Sequence, residues 1–387
     1  MHRMDAALRW LEDRQEDMEA LLEEMVNIDS GTAHADGVEA VRRRLARVLS
    51  EHGVATEDVP SPGGPCLAAR VSGTGPGHVL LLGHMDTVFP TGEASRRPYA
   101  VEERDGRRLG RGPGCGDMKA GLVMNAFVAA GLQATGSAAC PVVALFTRDE
   151  EVGSPHGRPI IEAAALGARA AFNAEPGRKS GNVVKARRGG TFFRATVIGR
   201  PAHAGLNPHD GRSAIEEMAR KILAWHGLSS DTPDVTVSVG LVAGGEAVNM
   251  IAPSCEAQID LRFADAETGE RLERAIREIA ETCFRDGLAG KIERLGGFLP
   301  IVETQPNQAL VEHYLAAARD LGQRTDAEFT RSCADSGLTA SMGVPTVCGT
   351  GPVGDKFHTP DEYVDLDTFV PRAQAVALAI SRLWERR

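Results

Sequence analysis

The chain has 387 residues, of which 42% are apolar and 25% charged, a composition that excludes a disordered tail, a coiled coil and a collagen-like repeat. Acidic residues outnumber basic ones by 53 to 43, and Lys and Arg form no block, so we expect neither a nucleic-acid nor a membrane partner. The longest apolar runs are much shorter than the ~18 residues that a membrane-spanning helix needs.

The N-terminal segment is acidic and has the apolar spacing of a helix, unlike a secretory signal or a transit peptide. We therefore expect a cytoplasmic protein. The seven cysteines are scattered and form no C-x-x-C pair, which predicts buried thiols rather than a disulfide framework or a structural zinc site.

Helix and strand patterns alternate through the first half of the chain. Amphipathic helices are predicted over 3–26, 36–52 and 117–132, and short apolar strands over 66–72, 78–84, 141–147 and 168–173. Strands separated by helices imply an α/β fold in which helices cover both faces of a mostly parallel sheet. Active residues of such a sheet lie at the carboxyl ends of its strands.

Near residue 190 the pattern changes to strand, helix, two strands, helix and strand. These elements are predicted over 191–199, 211–227, 234–242, 254–263, 267–285 and 290–295. This is the order of the split βαβ, ferredoxin-like unit. The helix–strand alternation then resumes and ends in a helix over 366–386. We therefore predict an α/β domain in two parts, 1–188 and 299–387, with an α+β domain inserted at 189–298.

Two clusters of chemically active residues follow predicted strands. In GHMDTV, His84 and Asp86 are two residues apart and point the same way on an extended chain, so the carboxylate can hold one imidazole nitrogen and leave the other for a metal. In TRDEEVGS, Glu150 and Glu151 are neighbours that would face opposite sides of an extended chain, which suits two different tasks, one as a base and one as a metal ligand. The alternatives are a structural His–Asp hydrogen bond and a solvated acidic turn.

Three further donors occur elsewhere in the chain. The glycine-rich GPGCGDMKAG carries Asp117, which by itself is better explained as a helix N-cap. Glu175 follows an apolar run in FNAEPG, and His358 lies in a proline-bearing loop. Together with His84 and Glu151 they form a mixed set of nitrogen and oxygen donors that suits Zn²⁺ and similar ions. One shared carboxylate among five donors makes a two-metal site plausible.

The sequence resembles the M20 family of metallopeptidases, particularly its glutamate carboxypeptidase-like branch. The resemblance covers nearly the whole chain in order and is carried by GHMDTV, GPGCGDMKAG, TRDEEVGS, AEPG, GRPAHAG, DLRF, ADSGLTASMG and HTPDEYVD. It implies a zinc-peptidase-like catalytic domain and an inserted lid or dimerisation domain.

The resemblance also implies a role for each residue of the site. His84 and Glu175 would bind one metal ion, Glu151 and His358 the other, and Asp117 would bridge both. Asp86 would orient His84, and Glu150 would be the catalytic base. The two ions would be zinc, with cobalt or manganese as alternatives because they share these ligands.

In the inserted domain, the resemblance implies that His203 stabilises the oxyanion, in many members at the active site of a partner subunit, so we expect a homodimer formed through this domain. Asn249 and Arg262 resemble substrate contacts, and Arg262 is a candidate for gripping a substrate carboxylate. The structural alternative for both is a salt bridge or a packing role.

Two segments depart from the family pattern. GGFLPIVE lacks an arginine that glutamate-releasing members often carry, and Arg188, Arg294 and Arg331 are candidates to replace it. CADSGLTAS stands where relatives show G-G-x-S-D-G, although Asp335 is retained.

The expected activity is metal-dependent hydrolysis of an amide in an N-acyl amino acid or small peptide with a free carboxylate. The alternatives are a deacylase that removes acetyl or succinyl groups, and a catalytically silent homologue that binds amino-acid derivatives.

Overall fold

The computed structural model describes residues 2–229 and 234–383 and divides into two compact units. Unit 1 is formed by the residues up to Arg187, by Glu303–Thr330 and by the residues from Ala334 onward. Unit 2 is formed by Arg188–Val302 and Arg331–Cys333. The insertion predicted at 189–298 falls within unit 2.

The first part of unit 1 alternates helices and strands. Its helices are α1 (His2–Glu12), α2 (Gln15–Val26), α3 (Ala35–Glu51), α4 (Glu93–Arg96), α5 (Ala120–Thr135) and α6 (Gly157–Ala165). Its strands are β1 (Ala55–Val59), β2 (Cys66–Val71), β3 (His78–His84), β4 (Ala100–Arg104), β5 (Arg107–Arg111), β6 (Val142–Thr147), β7 (Ala168–Asn173) and β8 (Val183–Arg187).

Unit 2 and the end of unit 1 complete the chain. Unit 2 contains β9 (Gly189–Ile198), α7 (Ala214–Gly227), β10 (Thr236–Gly244), β11 (Ser254–Phe263), α8 (Ala266–Glu281) and β12 (Ala289–Phe298). Unit 1 ends with α9 (Gln305–Asp320), β13 (Ala327–Thr330), α10 (Ser336–Ser341), β14 (Thr346–Cys348), β15 (Gly354–Asp355), β16 (Tyr363–Asp365) and α11 (Phe369–Arg382).

The main sheet of unit 1 has the strand order β1-β2-β6-β3-β7-β14-β8-β13. At its centre β3 runs parallel to both β6 and β7, and β7 runs parallel to β14. Helix α5 is buried along nearly its whole length, because it packs against α1, α3, α11 and the sheet, and its sequence is accordingly apolar on every side. The predicted α/β class is confirmed.

A second sheet of unit 1, in the order β15-β16-β5-β4, is missing from the sequence-based prediction. Its longest strands read AVEER, which is exposed throughout, and RRLGR, and neither shows the apolar alternation that identifies a strand. The predicted helix over 3–26 is likewise two helices, α1 and α2, separated at Asp13 and Arg14. The spacing of apolar residues along two successive helices is the same as along one continuous helix, so the spacing alone does not reveal the break.

Unit 2 is an antiparallel sheet in the order β10-β11-β9-β12 with α7 and α8 packed on it. Its own hydrophobic core includes Phe193, Trp225, Ile259 and Ile276. The predicted ferredoxin-like order of elements is confirmed. None of the helices in the described ranges is both long and apolar enough to cross a bilayer.

Candidate metal centre

Three neighbouring strands of the main sheet deliver the first donors. His84 is the last residue of β3, and Glu175 lies two residues beyond β7. Glu150 and Glu151 follow β6. Because β3 pairs in parallel with both neighbours, the carboxyl ends of these strands meet at one edge of the sheet.

His84 and Asp86 are in contact, as their spacing predicts. Nδ1 of His84 lies 3.0 Å from the main-chain oxygen of Asp86 and 3.3 Å from its Oδ1. Both acceptors favour a proton on Nδ1, which leaves Nε2 unprotonated as a metal ligand. Both side chains are almost completely buried, so the ring is fixed in orientation.

Asp117 lies in a distorted turn, Cys115–Lys119, and the peptide bond between Asp117 and Met118 is cis. The alternative that Asp117 is an N-cap is wrong, because α5 begins at Ala120 and its N-cap position is occupied by Lys119. The side chain instead faces two imidazoles. Oδ1 lies 3.3 Å from Nε2 of His84, and Oδ2 lies 3.3 Å from Nε2 of His358.

The five predicted donors converge as two groups that share Asp117. We call His84, Asp117 and Glu175 the first triad and Asp117, Glu151 and His358 the second triad. In the first triad, Oε1 of Glu175 lies 3.7 Å from Nε2 of His84. In the second, Oε2 of Glu151 lies 3.3 Å from Nε2 of His358. The sequence places these residues up to 274 positions apart, and the fold brings them together.

Unsatisfied oxygens show that the donor set fits cations. Oε1 of Glu151 and Oε1 of Glu175 are buried without a hydrogen-bond partner. A buried carboxylate oxygen in that state is costly, and clustered carboxylates repel one another unless positive charge is added. Nitrogen and oxygen donors around a shared carboxylate are the ligation that zinc and related divalent ions accept.

The protonation of the cluster leads to the same conclusion. Hydrogen bonds that the His358 ring donates to Asp117 and Glu151 raise the pKa of His358 to about 10. Burial, together with the charge of Asp117, raises the pKa of Glu151 to about 7. Burial also raises the pKa of Glu175. Protons therefore partly neutralise the cluster, and a bound cation would displace them.

Glu150 stands beside the triads without being part of either. It is buried, its Oε2 lies 4.0 Å from Nε2 of His84, and burial raises the pKa of its carboxyl well above the usual value. The prediction that Glu150 and Glu151 alternate on an extended chain is wrong, because Glu150–Val152 forms a short helical turn. Asp86 fixes this turn by accepting the main-chain N–H groups of Glu150 and Glu151 at 3.1 and 3.2 Å.

Two buried acids near the triads were not among the predicted site residues. Asp335 accepts hydrogen bonds from Ser154 and Thr147, and burial raises its pKa to about 7. Glu362 is fully buried and accepts three main-chain N–H groups from the loop that carries Asp117. The only sequence signal for Glu362 is its place in HTPDEYVD, four residues after His358.

The predicted oxyanion donor and one predicted substrate contact are neighbours in unit 2. His203 and Met250 form an isolated β-bridge, and the N–H of Ala204 donates to the main-chain oxygen of Asn249. Nδ1 of His203 accepts the N–H groups of Gly205 and Leu206, each at 3.1 Å. The neutral ring therefore carries its proton on Nε2, and its side chain is exposed.

Two of the four candidate arginines, Arg262 and Arg188, have partners within unit 2. Arg262 donates from Nε to Asp260 at 2.7 Å and from Nη1 to Sγ of Cys333 at 2.8 Å, and its guanidinium lies over the ring of Phe192. Arg188 is buried and pairs with Asp234 at 2.6 Å. Their roles as substrate contacts stay predictions.

Comparisons with known proteins agree with this architecture. The sequence model described as peptidase family M20/M25/M40 matches residues 80–382. Carboxypeptidase G2 of Pseudomonas sp. (strain RS-16) is 25% identical over 382 residues, covering 96% of this chain and 90% of the relative. Acetylornithine deacetylase of Salmonella arizonae is 28% identical over 357 residues, covering 87% and 88%.

A solved structure shares the fold. The M20 family metallo-carboxypeptidase from Sulfolobus solfataricus superposes with a TM-score of 0.74 at 17% identity, covering 94% of this chain and 98% of the other. The family match extends over most of the chain and includes the segments of all five converging donors. The chain therefore belongs to peptidase family M20/M25/M40 and is an enzyme of the metallopeptidase and amidohydrolase type.

Proposed function

We propose that the protein hydrolyses an amide bond in a small N-acyl amino acid or peptide with a free carboxylate, using two divalent metal ions. The single observation that carries this proposal is the pair of triads that share Asp117, with a buried unpaired oxygen on Glu151 and on Glu175. His84, Asp117 and Glu175 would hold one ion, and Asp117, Glu151 and His358 the other. Zinc suits these ligands best, and cobalt or manganese would also fit.

When bound, the two ions would polarise the substrate carbonyl and lower the pKa of the attacking water. Glu150 would take the proton of that water and pass it to the leaving amine, since burial raises the pKa of its carboxyl and so makes the carboxylate a stronger base. Asp86 keeps His84 in the tautomer that presents Nε2, and it also fixes the turn that carries Glu150.

His203 would donate to the oxyanion that forms when the carbonyl is attacked. Its Nε2 carries the proton because Nδ1 already accepts two main-chain N–H groups. We further propose that this site is completed by a second copy of the chain, paired through unit 2. In support, β10 is an edge strand on which Leu241 and Val242 are 63% and 59% exposed.

The free carboxylate of the substrate would be bound by Arg262, with Asn249 as a further contact. Arg262 is held by Asp260, Cys333 and Phe192, so its guanidinium is oriented before the substrate arrives. The similarity to a relative named carboxypeptidase G2 supports carboxypeptidase activity for this protein. The similarity to acetylornithine deacetylase, whose sequence identity to this chain is slightly higher, supports the second candidate function, that of an N-acyl-amino-acid deacylase.

The test is a substrate screen at defined metal content. The protein is stripped with a chelator, reloaded with Zn²⁺, Co²⁺ or Mn²⁺, and assayed against N-acetyl and N-succinyl amino acids and dipeptides, each paired with its C-terminal amide. We expect turnover only in the metal-loaded protein and only with the free carboxylate. Equal turnover of the amidated substrates would contradict the carboxylate requirement, and metal-independent turnover would contradict the mechanism.

The role of Glu150 is tested by Glu150→Gln, which keeps the size of the side chain and removes its basicity. We expect kcat to fall by about 10²–10⁴-fold, the usual contribution of a general base, with the metal content unchanged. Glu103→Gln is the matched control, since this exposed glutamate of β4 lies outside both triads. Substantial activity in a metal-replete Glu150→Gln protein would rule out this role.

A further inference from the structure

Glu362 is a buried carboxylate enclosed by the backbone of a neighbouring loop. Its Oε1 accepts the N–H groups of Gly116 and Asp117, each at 2.9 Å, and its Oε2 accepts the N–H of Gly114 at 3.1 Å. Successive main-chain N–H groups that converge in this way form a nest for an anion. Here the anion is a side chain of the same protein.

The glycines of the loop allow this close approach. Gly114 has a φ of +70°, a conformation that side chains disfavour. A Cβ on Gly116 would lie 2.8 Å from the ring of Phe357 and 3.2 Å from the main-chain oxygen of Tyr363. The loop can therefore wrap around the Glu362 carboxylate only because these two positions lack side chains.

Glu362 is also tied to the segment that carries His358. The main-chain N–H of Glu362 donates to the main-chain oxygen of Thr359 at 3.2 Å. The N–H of Thr359 in turn donates to the main-chain oxygen of Lys356, also at 3.2 Å. His358 lies within the turn closed by the second of these hydrogen bonds, with a φ of +62°. A short turn with its own hydrogen bonds thus connects His358 with Glu362, whose carboxylate binds the main chain of the Asp117 loop.

We propose that Glu362 is a positioning residue that joins the loop of Asp117 to the loop of His358 and so sets the metal affinity of the second triad. This inference rests on the proposed metal centre. The second triad depends on it more than the first, because both Asp117 and His358 lie on the joined loops. In the first triad, His84 ends a central strand and Glu175 follows another.

The variant Glu362→Gln tests the proposal. Its amide group would oppose at least one backbone N–H and remove that hydrogen bond. Removing a residue that orients a metal ligand typically costs 10–100-fold in affinity, so we expect a loss of about that size in one step of a two-step Co²⁺ titration, the step that fills the second triad, with a smaller loss in the other step. Calorimetry and the visible absorption of Co²⁺ report the two steps. Asp361→Asn, an exposed acid next to Glu362, is the matched control and should bind as the wild type does.

Unchanged affinity in both steps for Glu362→Gln would overturn the proposal, as would an equal loss in Asp361→Asn. A wild-type protein that binds no Co²⁺ would instead defeat the proposed metal centre itself, whatever the variants do. If Glu362→Gln does not fold, amide hydrogen exchange in the wild type decides the matter. The amides of Gly114, Gly116 and Asp117 should be protected from exchange with and without metal. Rapid exchange of all three in the metal-free protein would refute the proposal that Glu362 joins the two loops.

Discussion

Oδ1 of Asp86 accepts the main-chain N–H of Glu150 at 3.1 Å. The same carboxylate contacts Nδ1 of His84, accepts the N–H of Glu151, and accepts the hydroxyl of Thr32 at 2.6 Å. One fully buried side chain therefore orients an imidazole of the first triad and also fixes the turn that presents the proposed base. If the proposed roles hold, this arrangement couples the metal centre to the proton transfer assigned to Glu150.

Asp86→Asn should therefore affect metal binding and turnover together. The amide cannot accept at both positions, so at least one of its contacts is lost. We expect metal affinity to fall by about 10–100-fold and kcat to fall at saturating metal, measured by competition with a chelating dye and by steady-state kinetics. Thr32→Val is the graded control, since it removes only one hydrogen bond to the same carboxylate. A normal metal affinity in Asp86→Asn would contradict the orienting role.

Three donors of the site could be predicted because each stands at or just after the end of an apolar run in the sequence. His84 ends an apolar run, and Glu151 and Glu175 follow two others, so the rule that parallel strands end at one edge is enough to bring them together. His358 has no such signal of its own, since its loop follows the short strand β15 of a sheet whose strands lack apolar alternation. It was a candidate only as a nitrogen donor that completes the set, and the resemblance to a family then assigned it to one of the two metal ions.

The backbone conformation at the site residues was harder to predict from the sequence than which residues form the site. By its place in the sequence alone Asp117 is better explained as a helix N-cap, and what decides against this is a turn held by Glu362, which lies 245 residues away along the chain. Glu150 and Glu151 follow a strand, but Asp86 draws their N–H groups into a helical turn. Such contacts between distant segments leave no periodic signal in the sequence.

The stability of the metal-free protein should fall as the pH rises from about 6 to 7.5. His358, with its pKa raised from 6.5 to about 10, and Glu151, with its pKa raised from 4.5 to about 7, both bind more protons in the folded than in the unfolded chain over this range. The stability that these protons supply is therefore lost as the pH rises. Thermal unfolding after chelator treatment measures the effect.

Bound metal should reverse this dependence, because cations replace the protons of the cluster. We expect the metal-induced rise in Tm to be larger at pH 7.5 than at pH 6. The comparison stops at about pH 7.5 because burial lowers the pKa of Lys119 to about 8, and this group contributes with the opposite sign above that pH. A Tm of the metal-free protein that rises with pH would contradict the protonated cluster.

Mixing two inactive variants should show whether His203 acts across a dimer. His203→Ala and Glu150→Gln each disable every site in their own homodimers. If His203 reaches the partner's site, a hybrid dimer contains one site with both residues intact, so random exchange restores about a quarter of the wild-type activity. Recovery is measured after subunits are mixed and allowed to exchange. No recovery, in a mixture where hybrids are detected by a size tag, would contradict action across the dimer.

The stability of unit 2 should depend on a buried ion pair that has no part in the proposed chemistry. Lys221 and Glu217 lie one turn apart on α7, with side chains 0% and 1% exposed and 3.2 Å between them. Lys221 also donates to the main-chain oxygens of Ile279 and Thr282, at the end of α8, and Glu217 accepts the N–H of Phe284. The pair therefore holds the end of α8 against α7.

Lys221→Met leaves the Glu217 carboxylate buried without its counter-charge and should lower the free energy of unfolding by about 3–5 kcal/mol. Replacing both residues, in Lys221→Met with Glu217→Leu, should cost less than the single change because no isolated charge remains. Arg220→Met is the control, since Arg220 forms an exposed pair with Glu216 that is worth about 0–1 kcal/mol. Urea unfolding followed by circular dichroism measures all three. A double variant less stable than the single one would show that the hydrogen bonds to α8, rather than charge balance, make the larger contribution.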